Sequence, residues 1–127
     1  MDAKLLIKLQ TEKAQRFLQE ADDMLEQHRW DMAANRYYYA CYHMVHAVFI
    51  TRGIATKTHD GTLAELGKHF VLTGQLDKKY GRFFARMIQL RIKADYNSIA
   101  EVSEIEVLEM APLTHEFIDA LFPLLAK

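Results

Sequence analysis

The chain is poor in the residues that staple or break a fold. Among 127 residues there are one cysteine, two prolines and five glycines. The lone Cys41 excludes an intrachain disulfide and a multi-cysteine zinc site, and points to a reducing, cytoplasmic compartment. So little proline and glycine leaves no room for long linkers. One domain over residues 1–127 is expected, a size that can bury its own core. No run reaches the roughly 18 apolar residues of a bilayer span. The opening "MDAKLLIKLQTEK" lacks the apolar core of a secretory signal. Alternating strand patterns, repeats and low-complexity tracts are also missing.

An excess of one charge is lacking too, since the formal net charge is −1. Its distribution is uneven. Arg52 to Lys93 holds nine basic and three acidic residues, a net of +6, and the rest of the chain carries −7. A basic middle between acidic ends suits a polyanion-facing surface. It equally suits helix faces that neutralise one another on packing.

What is present is helical periodicity nearly throughout. The spacing predicts a first helix over 3–27, with Phe17, Leu18, Ala21, Met24 and Leu25 as its apolar stripe. "HRWD" breaks the pattern, and Asp31 is placed to cap a second helix over about 32–52, stopped by Gly53. After the loop "IATKTHDG", a short helix over 61–73 ends at Gly74, with Asp60 as its cap. Asp77 caps a fourth helix over about 78–94, followed by the loop "DYNSIAEV". "SEIE" at 103–106 is a capping box. The last helix runs to about 125, interrupted and kinked by Pro112. The expected fold is all-α, an up-and-down bundle of about four to five helices with antiparallel neighbours.

The second helix, with "ANRYYYACYHMVHA" at its centre, is apolar almost all round. Such a helix is central in a bundle or covered by another chain. A small bundle has limited space for one, so part of this helix is expected at a homodimer interface.

Arg36 and His43 lie seven residues apart, returning to one helix face with Tyr39 between them. The rise separates them by about 10.5 Å. Arginine's planar fork grips phosphate oxygens and neutralises developing charge. An imidazole near its usual pKa exchanges protons at neutral pH. The pair suits phosphodiester cleavage by a ribose 2′-hydroxyl, an internal nucleophile that needs no metal to generate it. The same residues also suit packing, with Arg36 paired to Asp95 and His43 bonded to a tyrosine hydroxyl. His43 and His46 have no carboxylate or cysteine at compatible local spacing, so no metal site or cofactor is expected.

Four segments in order strengthen the chemical reading: Arg36 to His43, "KTHDG" at 57–61, "GKHF" at 67–70 and "RIKADY" at 91–96. Together they resemble the HEPN superfamily, in particular its small stand-alone bacterial and archaeal members. The resemblance runs from about residue 12 to about residue 125. It implies a dimeric helical bundle. It further implies a metal-independent endoribonuclease of toxin–antitoxin or defence type, with Arg36 and His43 as the active-site motif and a 2′,3′-cyclic phosphate as product. Other members imply a different role, a nucleotide-binding or interaction module partnering a small nucleotidyltransferase. Because one helix does not easily bring residues 36 and 43 to one phosphate, a site shared across a two-fold axis is expected. Asn35, Tyr39, Lys57, His59, Arg82 and Arg86 are the candidate RNA or nucleotide contacts. Asp95 and Tyr96 read as anchors for Arg36 or Arg91, His69 as a partly exposed helix-end residue, and Cys41 as packing.

Overall fold

A computed structural model describes residues 2–96 and 102–126, with the backbone alone for 94–96. Among the described residues there are five α-helices and no strand: α1 (Ala3–Glu26), α2 (Trp30–Thr51), α3 (His59–Leu66), α4 (Lys78–Tyr96) and α5 (Glu104–Leu121). The last turn of α3 widens into a π-turn over Gly67–Val71, and α5 tightens into a 3₁₀ turn over Phe122–Ala126.

The helix ends follow local hydrogen bonding. The Asp2 carboxylate accepts from the Lys4 N–H at the start of α1. Asp77 does the same for α4, accepting from the Lys79 N–H at 2.9 Å. At α5 the capping box is complete, with Ser103 Oγ accepting from Glu106 N–H and Glu106 Oε1 accepting from Ser103 N–H. Gly53 and Gly74 take positive φ, at 67° and 80°, where chains leave helices. α5 continues through Pro112.

Two expected caps are corrected. Asp31 is inside the first turn of α2, and its carboxylate instead accepts from the Val102 N–H at 3.1 Å. It therefore ties the start of α2 to the start of α5. Asp60 likewise falls inside α3. Thr58 is the cap, its Oγ1 accepting from the Gly61 N–H at 2.9 Å. A Cβ on Gly61 would lie 2.8 Å from that Oγ1, so any larger residue there would have to displace the cap.

Side-chain pairs fix the directions. Glu20 meets Arg36 and Gln10 meets His43, so α1 and α2 are antiparallel. Lys79 meets Glu116, Arg86 meets Glu109 and Lys93 meets Glu106, so α4 and α5 are antiparallel too. α2 is the central element, packed against α1, α4 and α5. Its Tyr37, Tyr38, Cys41, Met44, Val45, Val48 and Phe49 are fully buried, with Phe70, Phe84 and Phe117 around them. Each such side chain contributes about 1.5–3 kcal/mol by leaving water. The Tyr37 hydroxyl escapes an unpaired burial by donating to Asp22 Oδ1 at 2.5 Å. The apolar face of α2 is thus covered within one chain, and it needs no second chain to bury it.

Candidate functional site

Enclosure of α2 is incomplete along one stripe. Asn35, Arg36, Tyr39, Tyr42, His43 and His46 are half-buried, while their helical neighbours are not exposed at all. These positions recur at the three- and four-residue spacing of one helix face. The least apolar residues of the helix are the ones left within reach of solvent.

At one end of the stripe the organising group is Phe17 of α1. The Arg36 guanidinium carbon lies 5.4 Å from its ring centre. The His43 ring is stacked on it, with centroids 5.4 Å apart and planes 11° apart. Arg36 Nε donates to Glu20 Oε1 at 3.0 Å and Nη1 donates to Asn35 Oδ1 at 2.8 Å. Those two bonds fix the plane of the fork and leave Nη2 with no hydrogen bond among the described residues. The Arg36 side chain keeps 34 % of its surface exposed. The expected Asp95 partner is outside the described side chains, and the carboxylate that does meet Arg36 comes from α1.

His43 is fixed in the same way. Its Nδ1 lies 2.8 Å from Gln10 Oε1. A carbonyl oxygen only accepts, so Nδ1 carries the proton and Nε2 presents a lone pair. Burial pushes the His43 pKa down to about 4, helped by the charges of Lys13, His46 and Arg16. The ring is therefore neutral at physiological pH and able to take a proton through Nε2.

The other side of the stripe is built around Tyr42. His46, His59 and His43 lie 4.3, 5.4 and 5.5 Å from its ring centre. The Tyr38 hydroxyl is bonded to His59 Nδ1. Burial lowers the pKa of both His46 and His59, with further depression of His59 by Arg91 and of His46 by His59. Arg91 Nη2 donates to the Tyr39 hydroxyl at 3.3 Å, and its guanidinium lies 5.9 Å from that ring. Tyr39 thus stands between the Phe17 and Arg91 ends, 6.3 Å from the His43 ring.

The other expected contacts are dispersed. Lys57 is exposed in the connection before α3, two residues from His59. Arg82 and Arg86 line a separate cavity of about 310 Å³ between α4 and α5, with Tyr80, Phe83 and Leu113. Arg86 is paired there with Glu109 at 3.3 Å. His69 is a partly exposed residue at the end of α3, paired with Glu65 at 2.7 Å. Cys41 is fully buried, and burial raises its thiol pKa, as expected of a packing residue.

Sequence reasoning missed Phe17 as a shared platform, Gln10 and Glu20 as anchors, and Tyr38, Tyr42 and Arg91 as parts of the site. One signal existed. Gln10 and Phe17 are seven residues apart on α1, the spacing of Arg36 and His43 on α2.

The chain matches the HEPN domain family over residues 7–123. It is 33 % identical over 109 residues to the "UPF0332 protein" of Thermotoga maritima, covering 86 % of this chain and 83 % of that one. It is 28 % identical over 108 residues to "Putative toxin MJ0142" of Methanocaldococcus jannaschii, covering 85 % of this chain and 74 % of that one. A second protein of that organism, "Putative toxin MJ0605", is 33 % identical over 87 residues, covering 68 % and 65 %.

Proposed function

The chain belongs to the HEPN domain family, and from that premise we propose that it is a metal-independent endoribonuclease of toxin or defence type. The observation that carries this reading is the placement of Arg36 and His43 against one ring. Each is held by a partner that leaves its reactive atom available.

In the proposed reaction the 2′-hydroxyl of the substrate attacks the adjacent phosphorus. His43 Nε2 takes the hydroxyl proton, which its bare lone pair permits. Arg36 neutralises charge on the equatorial oxygens through the edge not used by Glu20 and Asn35. The P–O5′ bond breaks as the leaving oxygen takes a proton from water, giving a 2′,3′-cyclic phosphate and a 5′-hydroxyl end. Asn35, Tyr39, Lys57 and His59 contact the RNA beside this centre. Arg82 and Arg86 meet a more distant part of the strand. Two copies pair their α2 stripes antiparallel, bringing Arg36 of one copy toward His43 of its partner and completing the site at a homodimer interface.

The test is incubation of the purified protein with a mixed RNA pool in excess EDTA, beside Arg36→Ala/His43→Ala. Cleavage that survives chelation and disappears in the variant supports the reading; equal cleavage by both proteins refutes it. Sedimentation at micromolar concentration tests the dimer, and a monomer that still cleaves would remove the shared site.

A second reading has its own support. Arg36 is already ion-paired and His43 already hydrogen-bonded, as residues of a packed α1–α2 seam would be. On that reading the protein is a non-catalytic nucleotide-binding or interaction module whose partner is a small nucleotidyltransferase. A stable dimer that cleaves no RNA, and is captured by such a partner, would favour it.

A further inference from the structure

α1 brings two cations to the border of the stripe that the reaction described above does not use. Lys13 and Arg16 are both exposed. Lys13 lies three residues after Gln10, which bonds His43, and four before Phe17, so these three side chains share one face of α1. The Arg16 guanidinium carbon is 5.7 Å from the centre of the Phe17 ring, and that of Arg36 is 5.4 Å from the same centre. The two guanidinium carbons are therefore no more than 11.1 Å apart. One ring is thus shared by Arg16, Arg36 and His43.

Both cations are left uncompensated. A helix brings residues one turn apart together. For Arg16 these include Glu12 and Glu20, but Glu12 is paired with Lys8 at 3.9 Å and Glu20 with Arg36 at 3.0 Å. For Lys13 they are Leu9, Gln10, Arg16 and Phe17, none of them acidic. Neither Lys13 nor Arg16 has an ion pair among the described residues. They are instead three residues apart on one helix, where like charges repel and cost the helix stability. Their field reaches the site, since after burial the charges of Lys13, His46 and Arg16 hold the His43 pKa down. Two unneutralised cations beside a group that handles one phosphate make a seat for another. The RNA contacts given above come from α2, α4 and the turn into α3, and none comes from α1.

We propose that Lys13 and Arg16 together bind a phosphate of the RNA strand flanking the one that is cleaved, so that the strand crosses the α1–α2 seam at Phe17. The Arg16 fork grips its oxygens and Lys13 adds a point charge. The substrate is then a strand that continues past the scissile bond, rather than an isolated internucleotide linkage. This rests on the nuclease reading of the stripe and adds α1 to it as the element that sets the path of the strand.

The test uses a short single-stranded RNA carrying a cleavage site first mapped in the RNA pool. kcat and KM are measured for the parent, for Lys13→Gln/Arg16→Gln, and for Lys4→Gln, which removes an exposed cation nearer the start of the same helix. Glutamine is as good a helix former as the residues it replaces. The double variant is expected to raise KM about 10-fold, with kcat within about threefold of the parent. The slope of log KM against log salt should fall by about 0.7, as for one phosphate contact on a single strand. Lys4→Gln should match the parent in both. Each flanking phosphate is then replaced in turn by a neutral methylphosphonate. At one position the replacement should cost the parent the same factor in KM and cost the double variant little more. An unchanged KM in the double variant, an equal loss in Lys4→Gln, a parent indifferent to both replacements, or losses that multiply at every position overturns the proposal while the nuclease reading stands. The methylphosphonate result in the parent holds whatever the stability of the variant. A parent that cleaves no RNA overturns both.

Discussion

Arginines and lysines meet different surroundings on the two sides of the bundle. Between α4 and α5, Lys79, Arg86 and Lys93 face Glu116, Glu109 and Glu106 in an antiparallel ladder. Those side chains are partly or largely solvent-exposed, and each positive charge meets a negative one. Along the α2 stripe, Arg36 is paired with Glu20 and also lies against the ring of Phe17, and Arg91 lies against the ring of Tyr39. A ring steadies a cation without cancelling its charge. Three of the nine basic residues over 52–93 are paired with carboxylates of α5. What differs on the stripe is that Arg36 meets a ring as well as a carboxylate, and shares that ring with His43.

The sharpest way to break this contrast is by activity. Arg36→Ala and His43→Ala are each expected to lower RNA cleavage by about 10²- to 10⁴-fold. Lys79→Gln, in the ladder, should leave it within about twofold of the parent. Cleavage of the RNA pool in EDTA measures all three, with circular dichroism to check folding. A Lys79→Gln defect equal to that of Arg36→Ala would erase the distinction.

The next largest effect concerns the platform. Phe17→Ala removes a half-buried ring that touches Arg36, Tyr39 and His43, and should destabilise the fold by about 2 kcal/mol in urea melts. Phe17→Leu keeps much of the apolar volume, and should lose only about 0.5–1.5 kcal/mol of ring-specific contact. If the platform matters for chemistry, Phe17→Leu will still cleave poorly.

Acid separates the two sides by pH window. The His43 pKa falls from 6.5 to about 4 on folding, so between those values the unfolded chain binds the extra proton. Its stabilising contribution is complete above 6.5 and is lost as the pH falls toward 4. His46 and His59 shift in the same direction. Glu106 and Glu116 are held below the ordinary 4.5 by hydrogen bonds, Ser103 foremost for Glu106 and Lys79 for Glu116, so their contribution fades only at lower pH. Urea melts at ~pH 7.5 and ~pH 5 should differ by about 1–2 kcal/mol, discounted for the partial exposure of the stripe. The difference should shrink in His43→Asn. The smallest effect is expected in the ladder itself: Arg86→Ala should change stability by less than about 1 kcal/mol, and less still in high salt.

The bundle was legible because each helix carries a 3.6-residue apolar period and most ends carry a glycine or a capping side chain. Asp31 and Asp60 show where local reading runs out. Both are good cap residues beside the true position, and a contact with Val102, 71 residues away, decides what Asp31 does. Arg36 and His43 were visible from spacing. Their partners were not, because Glu20 and Gln10 lie 16 and 33 residues away on α1, and nothing in either segment names the other. Phe17 looked like any core residue of an amphipathic stripe. The all-apolar character of α2 suggested a covering subunit, but three neighbouring helices already cover it. Only the packed fold shows that the open stripe is polar and aromatic rather than greasy.

Gly61 gives the molecule an adjustable setting. Its missing side chain lets the Thr58 hydroxyl sit over the first turn of α3, and that turn aims His59. A methyl group there would push on the cap, and the imidazole is two residues away. The position can therefore act as a dial on the strength of the toxin-like activity proposed above, turned from the backbone without altering a single group that meets the RNA. Attenuated forms of the protein, should selection or a laboratory need them, are one carbon atom away.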